Sequence, residues 1–463
     1  MTSGIRDLGA TFGSKILVLV AGLGAQSCLA WMLKPAGRGS YAVCMIFAAV
    51  LSMVFVLGTD LAGRYFVASR RFTLSEGVVH ILVCGAAGCV LAVGAGLVLL
   101  HLPLAFVSKA APESFYLALV SIPTTLFSFT FMSLLVALRD FTWLAVFSTG
   151  NAVLLLALNV VLVGLIPWEV NGALLAIVVN GVVTMAASLV LFRRKYALTW
   201  ARPTWRGISE MLHYGVRYYG GQISNRVNFQ VGTIILAFLA SKEEIGLFAI
   251  AASLTGQIMV IPDSLGDVLM PRMAGDVRGR PELAAQGSRV NSVVCGALLL
   301  VLVIFAEPIV MVLFSPAFLP MVPLIRILAV GLLFRAACKV FEYYLLMTDH
   351  PGISSAAVLA GVIVNLVVLW WLMPAIGLPG AAVAMSASFL VSSIILAAAF
   401  KRLSGLSQKE MWRYRRADWA VAADGLRRLR ARLRRGPDEA AAGLPSEPVS
   451  ESAAAPEERP PEA

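Results

Sequence analysis

The sequence predicts an all-α polytopic membrane protein of about twelve transmembrane helices, and three observations carry that prediction. Hydrophobic residues fill 59% of the 463 positions and charged residues only 14%, whereas a soluble chain carries about 25% charged residues. The mean hydropathy is +0.84. The apolar residues fall in continuous blocks of roughly 20, the length that crosses about 30 Å of hydrocarbon at 1.5 Å per residue. Continuous blocks exclude a β-barrel, whose strands would alternate over short runs.

Taken in order, the blocks occupy residues 12–33, 41–62, 78–100, 115–138, 141–166 and 172–192, then 216–240, 246–270, 289–314, 321–347, 353–373 and 377–400. The stretch up to Lys15 is short and polar, and the block after it is too long for a signal-peptide core, so the first helix is read as uncleaved. Basic residues concentrate after even-numbered spans: Arg64, Arg70 and Arg71; then Arg193, Arg194, Lys195, Arg202 and Arg206; then Arg272, Arg278 and Arg280. Links after odd-numbered spans are poorer, with Lys34 and Arg38, Lys109, and Lys242. By the positive-inside bias both termini are cytoplasmic. The net charge of +11 reflects this bias and is not a nucleic-acid signal.

The chain therefore divides into a six-helix lobe (1–192), a cytoplasmic link (193–215), a second six-helix lobe (216–400), a basic amphipathic cytoplasmic helix (401–435) and a tail (436–463). Residues 409–435 interleave Lys and Arg with Trp and Leu, which suits a helix resting on anionic headgroups. The Pro-, Ala-, Ser- and Glu-rich tail has too little apolar surface to fold. The six cysteines sit inside apolar blocks without metal-ligand spacing and read as small packing residues. The four histidines are scattered, and no metal centre or cofactor is expected.

An internal repeat sets the architecture. Gly39-Ser40-Tyr41-Ala42 is echoed 207 residues later by Gly246-Leu247-Phe248-Ala249, and Asp60 by Asp267 at the same separation. Asn159 has a counterpart in Asn365 at 206, and Asn171-Gly172-Ala173 in Pro379-Gly380-Ala381 at 208. Six spans per repeat is an even number, so both halves enter the bilayer from the same side, as parallel repeats around a central cavity.

Charges inside the bilayer are costly and mark candidate function. Arg335, Lys339 and Glu342 share one face of span ten. Span seven adds Arg226, with Gln222 and Asn225 on the same side, and span one contributes Lys15 with Gln26 further along that face. The basic groups would line a cavity fit for a pyrophosphate headgroup. The competing reading has Lys339 and Glu342 neutralising one another inside the bundle. Asp263, directly after Pro262, and Glu342 are candidates for exchanging a proton or sodium ion. Asp60 and Asp267, close to Arg64 and Arg272, read as gate latches or helix caps. Asn151, Asn159, Asn180 and Asn365 read as interhelical hydrogen-bond partners. No P-loop, nucleophile elbow or metal cluster is present.

The link Leu33-Lys34-Pro35-Ala36-Gly37-Arg38-Gly39-Ser40-Tyr41-Ala42 and the later Ile376-Gly377-Leu378-Pro379-Gly380-Ala381-Ala382 resemble two motifs of the multidrug/oligosaccharidyl-lipid/polysaccharide exporter superfamily. The likeness covers roughly residues 5–405, and within the superfamily it is to the Wzx-type O-antigen and exopolysaccharide flippases. The resemblance implies a transporter, not an enzyme, in a bacterial cytoplasmic membrane. Its cargo would be an undecaprenyl-pyrophosphate-linked oligosaccharide, driven by proton or sodium antiport, with other polysaccharide-assembly proteins as partners. The basic and then polar tail departs from the pattern. Three alternatives stand beside it: a lipid II flippase, a multidrug/cation antiporter of the same superfamily, and a membrane-embedded glycosyltransferase or polymerase. The antiporter would want a carboxylate deep in span one, the lipid II flippase extra helices, and the glycosyltransferase acidic residues in a sizeable external loop.

Overall fold

The computed structural model describes the backbone of residues 2–56, 58–199 and 201–414, and their side chains apart from 2–16, 56, 60, 61, 217–229, 231, 267 and 271. Among the described residues all regular structure is helical. The first half comprises α1 (Thr2–Val56), α2 (Thr59–Ala68), α3 (Leu74–Leu100), α4 (Pro112–Ala137), α5 (Phe141–Asn159), which runs on through a π turn to Leu165, and α6 (Glu169–Lys195). The second comprises α7 (Trp205–Leu239), α8 (Lys242–Gly256), α9 (Val260–Gly275), α10 (Arg280–Ile304), α11 (Ala306–Phe314), α12 (Val322–Met347), α13 (Pro351–Ile376) and α14 (Leu378–Ser404), followed by the short α15 (Gln408–Trp412).

Ten of the described helical stretches are long and apolar enough to cross a membrane. The first of them, Leu17–Phe55, holds two crossings. It breaks at Lys34 (φ 54°, ψ 178°), immediately before Pro35, because a residue preceding proline is pushed out of the helical region and the proline ring removes an amide donor. With α7, at 35 residues longer than a bilayer requires, the architecture is that of twelve crossings in two six-helix halves. The second crossing of each half is interrupted: at Gly58, in the left-handed region (φ 67°), and at the tight turn Gln257–Met259.

Packing repeats between the halves. In the first, α4 packs against α3, α5 and α6; in the second, α12 packs against α10 and α14, and α14 lies along α13. The expected helix 401–435 is broken at residues 405–407, between α14 and α15, and its part beyond 414 lies outside the described residues; two further boundaries differ from the sequence reading. The expected link 193–215 is helical from Trp205 onward, where Gly207 lies against the His80 ring and Met211 is fully buried. The expected span 289–314 ends early, at Ile304, and α11 follows as a separate amphipathic helix that buries Ala306, Val310 and Phe314 while exposing Val312.

The halves meet on the side of the odd-numbered links. A side chain at Gly39 would run into the carbonyl of Lys242, and one at Gly246 into the carbonyl of Pro35. Since Gly246 and Lys242 lie 207 residues after Gly39 and Pro35, each half makes the same contact with the other, as a two-fold axis requires. Around it, Ser27 Oγ donates to the Leu313 carbonyl, Lys109 Nζ to the Ala240 carbonyl, and Ser40 Oγ to the Lys109 carbonyl at 2.6 Å. Phe106 stacks edge-on against Phe238 at 5.4 Å and near Phe47 at 5.6 Å. Backbones this close, sealed by aromatic rings, close that side.

Candidate translocation cavity

Below the closed contact lies a cavity of about 660 Å³, walled by α1, α2, α4, the start of α5 and Gln230 of α7. It runs from Met45 and Ser121 at mid-helix toward Val136, Leu144 and Arg64, at the end bearing the even-numbered links. Its apolar lining is interrupted by Ser52, Ser121, Thr125, Ser133, Gln230 and Arg64. Ser52 donates its hydroxyl proton to the Ala48 carbonyl at 2.8 Å, Ser121 to Ala118 at 2.7 Å and Thr125 to Ser121 at 2.7 Å. A hydroxyl has one proton and two acceptor lone pairs. With the proton spent on its own helix, each presents acceptor capacity to the cavity, and Arg64 adds a guanidinium cation.

Sequence reasoning placed Arg64 in a topogenic loop and left the hydroxyls unremarked. The signal available was Arg64 itself, a guanidinium directly after an apolar block. The hydroxyls leave no comparable mark, because serine and threonine within membrane helices are common packing residues.

Of the site residues expected from sequence, four come together in the second half. Glu342 accepts from Arg335 Nη2 at 2.7 Å and lies 3.3 Å from Lys339 Nζ. Lys339 reaches Asp263 on α9 at 3.8 Å, and the Tyr343 hydroxyl donates to Asp263 at 2.9 Å. Arg335 is 1% exposed, Lys339 and Glu342 13% each, and Asp263 60%. Among the described residues this is a charge-balanced cluster of two cations and two carboxylates. Lys339 and Glu342 neutralise one another, Asp263 links the set to an accessible edge, and none of the four lines the cavity described above, where the basic residues were expected. The side chains of Lys15, Asp60, Gln222, Asn225, Arg226 and Asp267 lie outside the described residues. Gln26, expected beside Lys15, accepts from Arg38.

The interhelical asparagines divide. Asn180 Nδ2 donates to Asn151 Oδ1 at 2.8 Å, joined by Thr184 at 3.1 Å, tying α5 to α6. Asn365 is fully buried on α13, and its amide atoms have no hydrogen-bond partner among the described residues. Glu307 pairs with Arg326 at 3.0 Å, both half exposed.

The sequence matches the family described as "Polysaccharide biosynthesis protein" over residues 5–275, more than half of the chain. The chain belongs to that family. No curated protein matches it in sequence. Among solved structures it is similar to the lipid II flippase MurJ in an inward closed conformation, at 13% identity and TM-score 0.68, covering 88% of this chain and 89% of that one. It is also similar to an inward-facing multidrug resistance MATE family transporter of the MOP superfamily, at 15% identity and TM-score 0.61, covering 85% and 94%. The Vibrio cholerae MATE transporter VcmN in its bent form matches at 15% identity and TM-score 0.57, covering 89% and 100%. This member of the polysaccharide biosynthesis family thus has the fold of the multidrug/oligosaccharidyl-lipid/polysaccharide superfamily. It is a multi-pass membrane protein.

Proposed function

We propose that the protein moves an undecaprenyl-pyrophosphate-linked oligosaccharide from the cytoplasmic to the outer leaflet of a bacterial inner membrane, for O-antigen or exopolysaccharide assembly. The observation that carries this reading is the cavity sealed on the odd-link side, lined by hydroxyl acceptors and ending in Arg64. Sugar hydroxyls are hydrogen-bond donors that suit Ser52, Ser121 and Thr125, and Arg64 suits a phosphate. The positive-inside bias puts the even-numbered links, and so the Arg64 end, in the cytoplasm. In that orientation the cavity faces the leaflet where such a cargo is made.

The balanced cluster on α12 supplies the coupling. Asp263 is 60% exposed, and a carboxylate exposed midway along a membrane-spanning element faces water, since hydrocarbon would impose a charge penalty. A proton or sodium ion taken up by Asp263 or Glu342 weakens that carboxylate's hold on Lys339 or Arg335 and shifts the cluster from neutral to positive. Taking up such an ion from the outer side, where it is more abundant, once the cargo has left, and releasing it to the cytoplasm before the next cargo binds, gives antiport. Arg226 and Lys15 are assigned to the same cationic lining, with Gln222 and Asn225 beside Arg226. Asp60 and Asp267 are assigned to the cytoplasmic gate.

Vesicles reconstituted with the purified protein and a fluorescent polyprenyl-pyrophosphate oligosaccharide test the reading, with cargo in the outer leaflet scored by an impermeant glycosidase. Losing one charge-assisted contact costs about 1.5–3 kcal/mol, so Arg64→Ala should slow translocation by about ten- to hundredfold without loss of folded protein. Arg226→Ala with Arg335→Ala should be slower still. Unchanged flipping in both variants refutes the cationic cavity, and flipping of lipid II but not of the oligosaccharide refutes the cargo.

A further inference from the structure

A second cavity, of about 630 Å³, opens on the outer flank of the second half between α10, α12 and α14. Its wall is apolar, with Gly296, Leu333, Phe334, Ala337, Leu390 and Ile394 among the lining, and Trp412 and Tyr414 close one end. Neighbouring apolar side chains are left uncovered, including Val294 (39%), Val330 (58%) and Ile394 (58%). This is a surface turned to acyl chains. On α12 the groove residues 333, 334, 337 and 338 stand on a different face from 335, 339 and 342, because a helix turns 100° per residue. The body of α12 therefore separates the groove from the charged cluster.

The aromatic end is built with unusual firmness. Arg289 of α10 is 1% exposed, and its Nη1 donates to the carbonyls of Glu410 at 2.8 Å and Met411 at 3.3 Å. A buried guanidinium thus holds the end of α15, a helix of only five residues. Met411 is buried beside it, and Trp412 packs edge-on against Phe341 at 5.8 Å. Basic groups ring the same end. Lys401 lies one turn beyond Ala397 on the groove face of α14, Arg402 follows it, and Arg413 falls between the two aromatic residues; all three are exposed.

We infer that this groove seats one acyl chain of an anionic phospholipid of the cytoplasmic leaflet, with the phosphate held by Lys401, Arg402 and Arg413. An apolar slot ending in Trp and Tyr at headgroup level, followed by cations, matches the cross-section of such a lipid from chain to interface to charge. Each basic side chain near an anionic surface contributes about fivefold in affinity. Arg289 is the positioning residue that keeps the strap over the slot. The site is independent of the cargo reading.

The full-length protein in nanodiscs is photolabelled with phosphatidylglycerol or phosphatidylcholine carrying a diazirine at mid-chain, and the adducts are mapped by mass spectrometry. Phosphatidylglycerol should label the groove residues of α10, α12 and α14 in preference to phosphatidylcholine. Reversing two surface charges, Lys401→Glu with Arg413→Glu, should remove that preference, by about twentyfivefold if each charge acts alone. Gly296→Leu, which projects into the slot beside Leu333, should abolish labelling by both lipids there. Equal labelling by the two lipids, or a preference untouched by the charge reversal, overturns the anionic site. Displacement of the phosphatidylglycerol adducts by a polyprenyl pyrophosphate overturns the assignment in favour of the cargo tail. The charge reversal touches exposed side chains, so it reads out even where Gly296→Leu fails to fold.

Discussion

Arg335 is held almost entirely out of solvent, and Glu342 is its principal counter-charge. Removing one member of a buried pair is far costlier than removing both, because a lone charge is left in a poor solvent. Glu342→Gln should therefore destabilise the protein by about 3–5 kcal/mol, read as a fall in thermal midpoint in detergent, and Arg335→Met with Glu342→Leu should restore most of it. Asp140, in the turn between α4 and α5, behaves differently. Burial raises its carboxyl, but hydrogen bonds from Lys195, Tyr196 and the Trp143 amide outweigh that and hold it below the ordinary carboxylate range. A depressed folded value gives stability that is present above the unfolded value and fades as pH falls through the folded one. Asp140→Asn should accordingly lower the midpoint near neutrality, and its difference from the natural protein should vanish on acidification below the unperturbed 3.8. These individual partners were only half legible in sequence. Helical spacing puts 335, 339 and 342 on one face, but no spacing rule could announce that Asp263 on α9 meets Lys339, or the capture of Gln26 by Arg38.

At the scale of elements, the contact of Gly39 with Lys242 and Gly246 with Pro35 makes closure depend on two missing side chains. Leucine at either glycine should prop the odd-link side open, seen as longer spin-label distances between residues 108 and 241 and as new solvent access there. Gly94→Leu, on a surface of α3 with no described atom in the way, should change neither. The glycine echo was plain in sequence because a 207-residue offset recurs across separate motifs. The premature end of α10 was not, since the apolar run continues through Phe305 into α11 and hydropathy does not register a change of direction. Likewise the first turns of α7 read as a polar link, although Ile208, Met211 and Leu212 bury themselves against the first half.

For the whole molecule, length and composition disclosed the class almost completely. A bilayer imposes one helix length and forbids unpaired backbone, so few architectures fit twelve apolar blocks in two matching sets. A central cavity was expected, but its place was beyond reach: it opens among the helices of the first half, with Gln230 alone from the second, and its hydroxyl lining is chemically quiet until seen in place. Transport should show the same dependence on assembly: slowed by Arg64→Ala at the cavity end, and independent of Asp140, which steadies the scaffold alone.

The reciprocal glycine contact has one more implication. Two separate six-helix chains related by a dyad would touch in the same way, each offering its glycine to the other's turn, so this seam has the form of a subunit interface preserved within one polypeptide. Severing the chain between Leu198 and Arg202, ahead of the part of α7 that docks on the first half, should leave two fragments able to find each other in the membrane. Co-purification of the pair and recovery of export in cells making both would show that continuity of the chain is dispensable once the seam has formed.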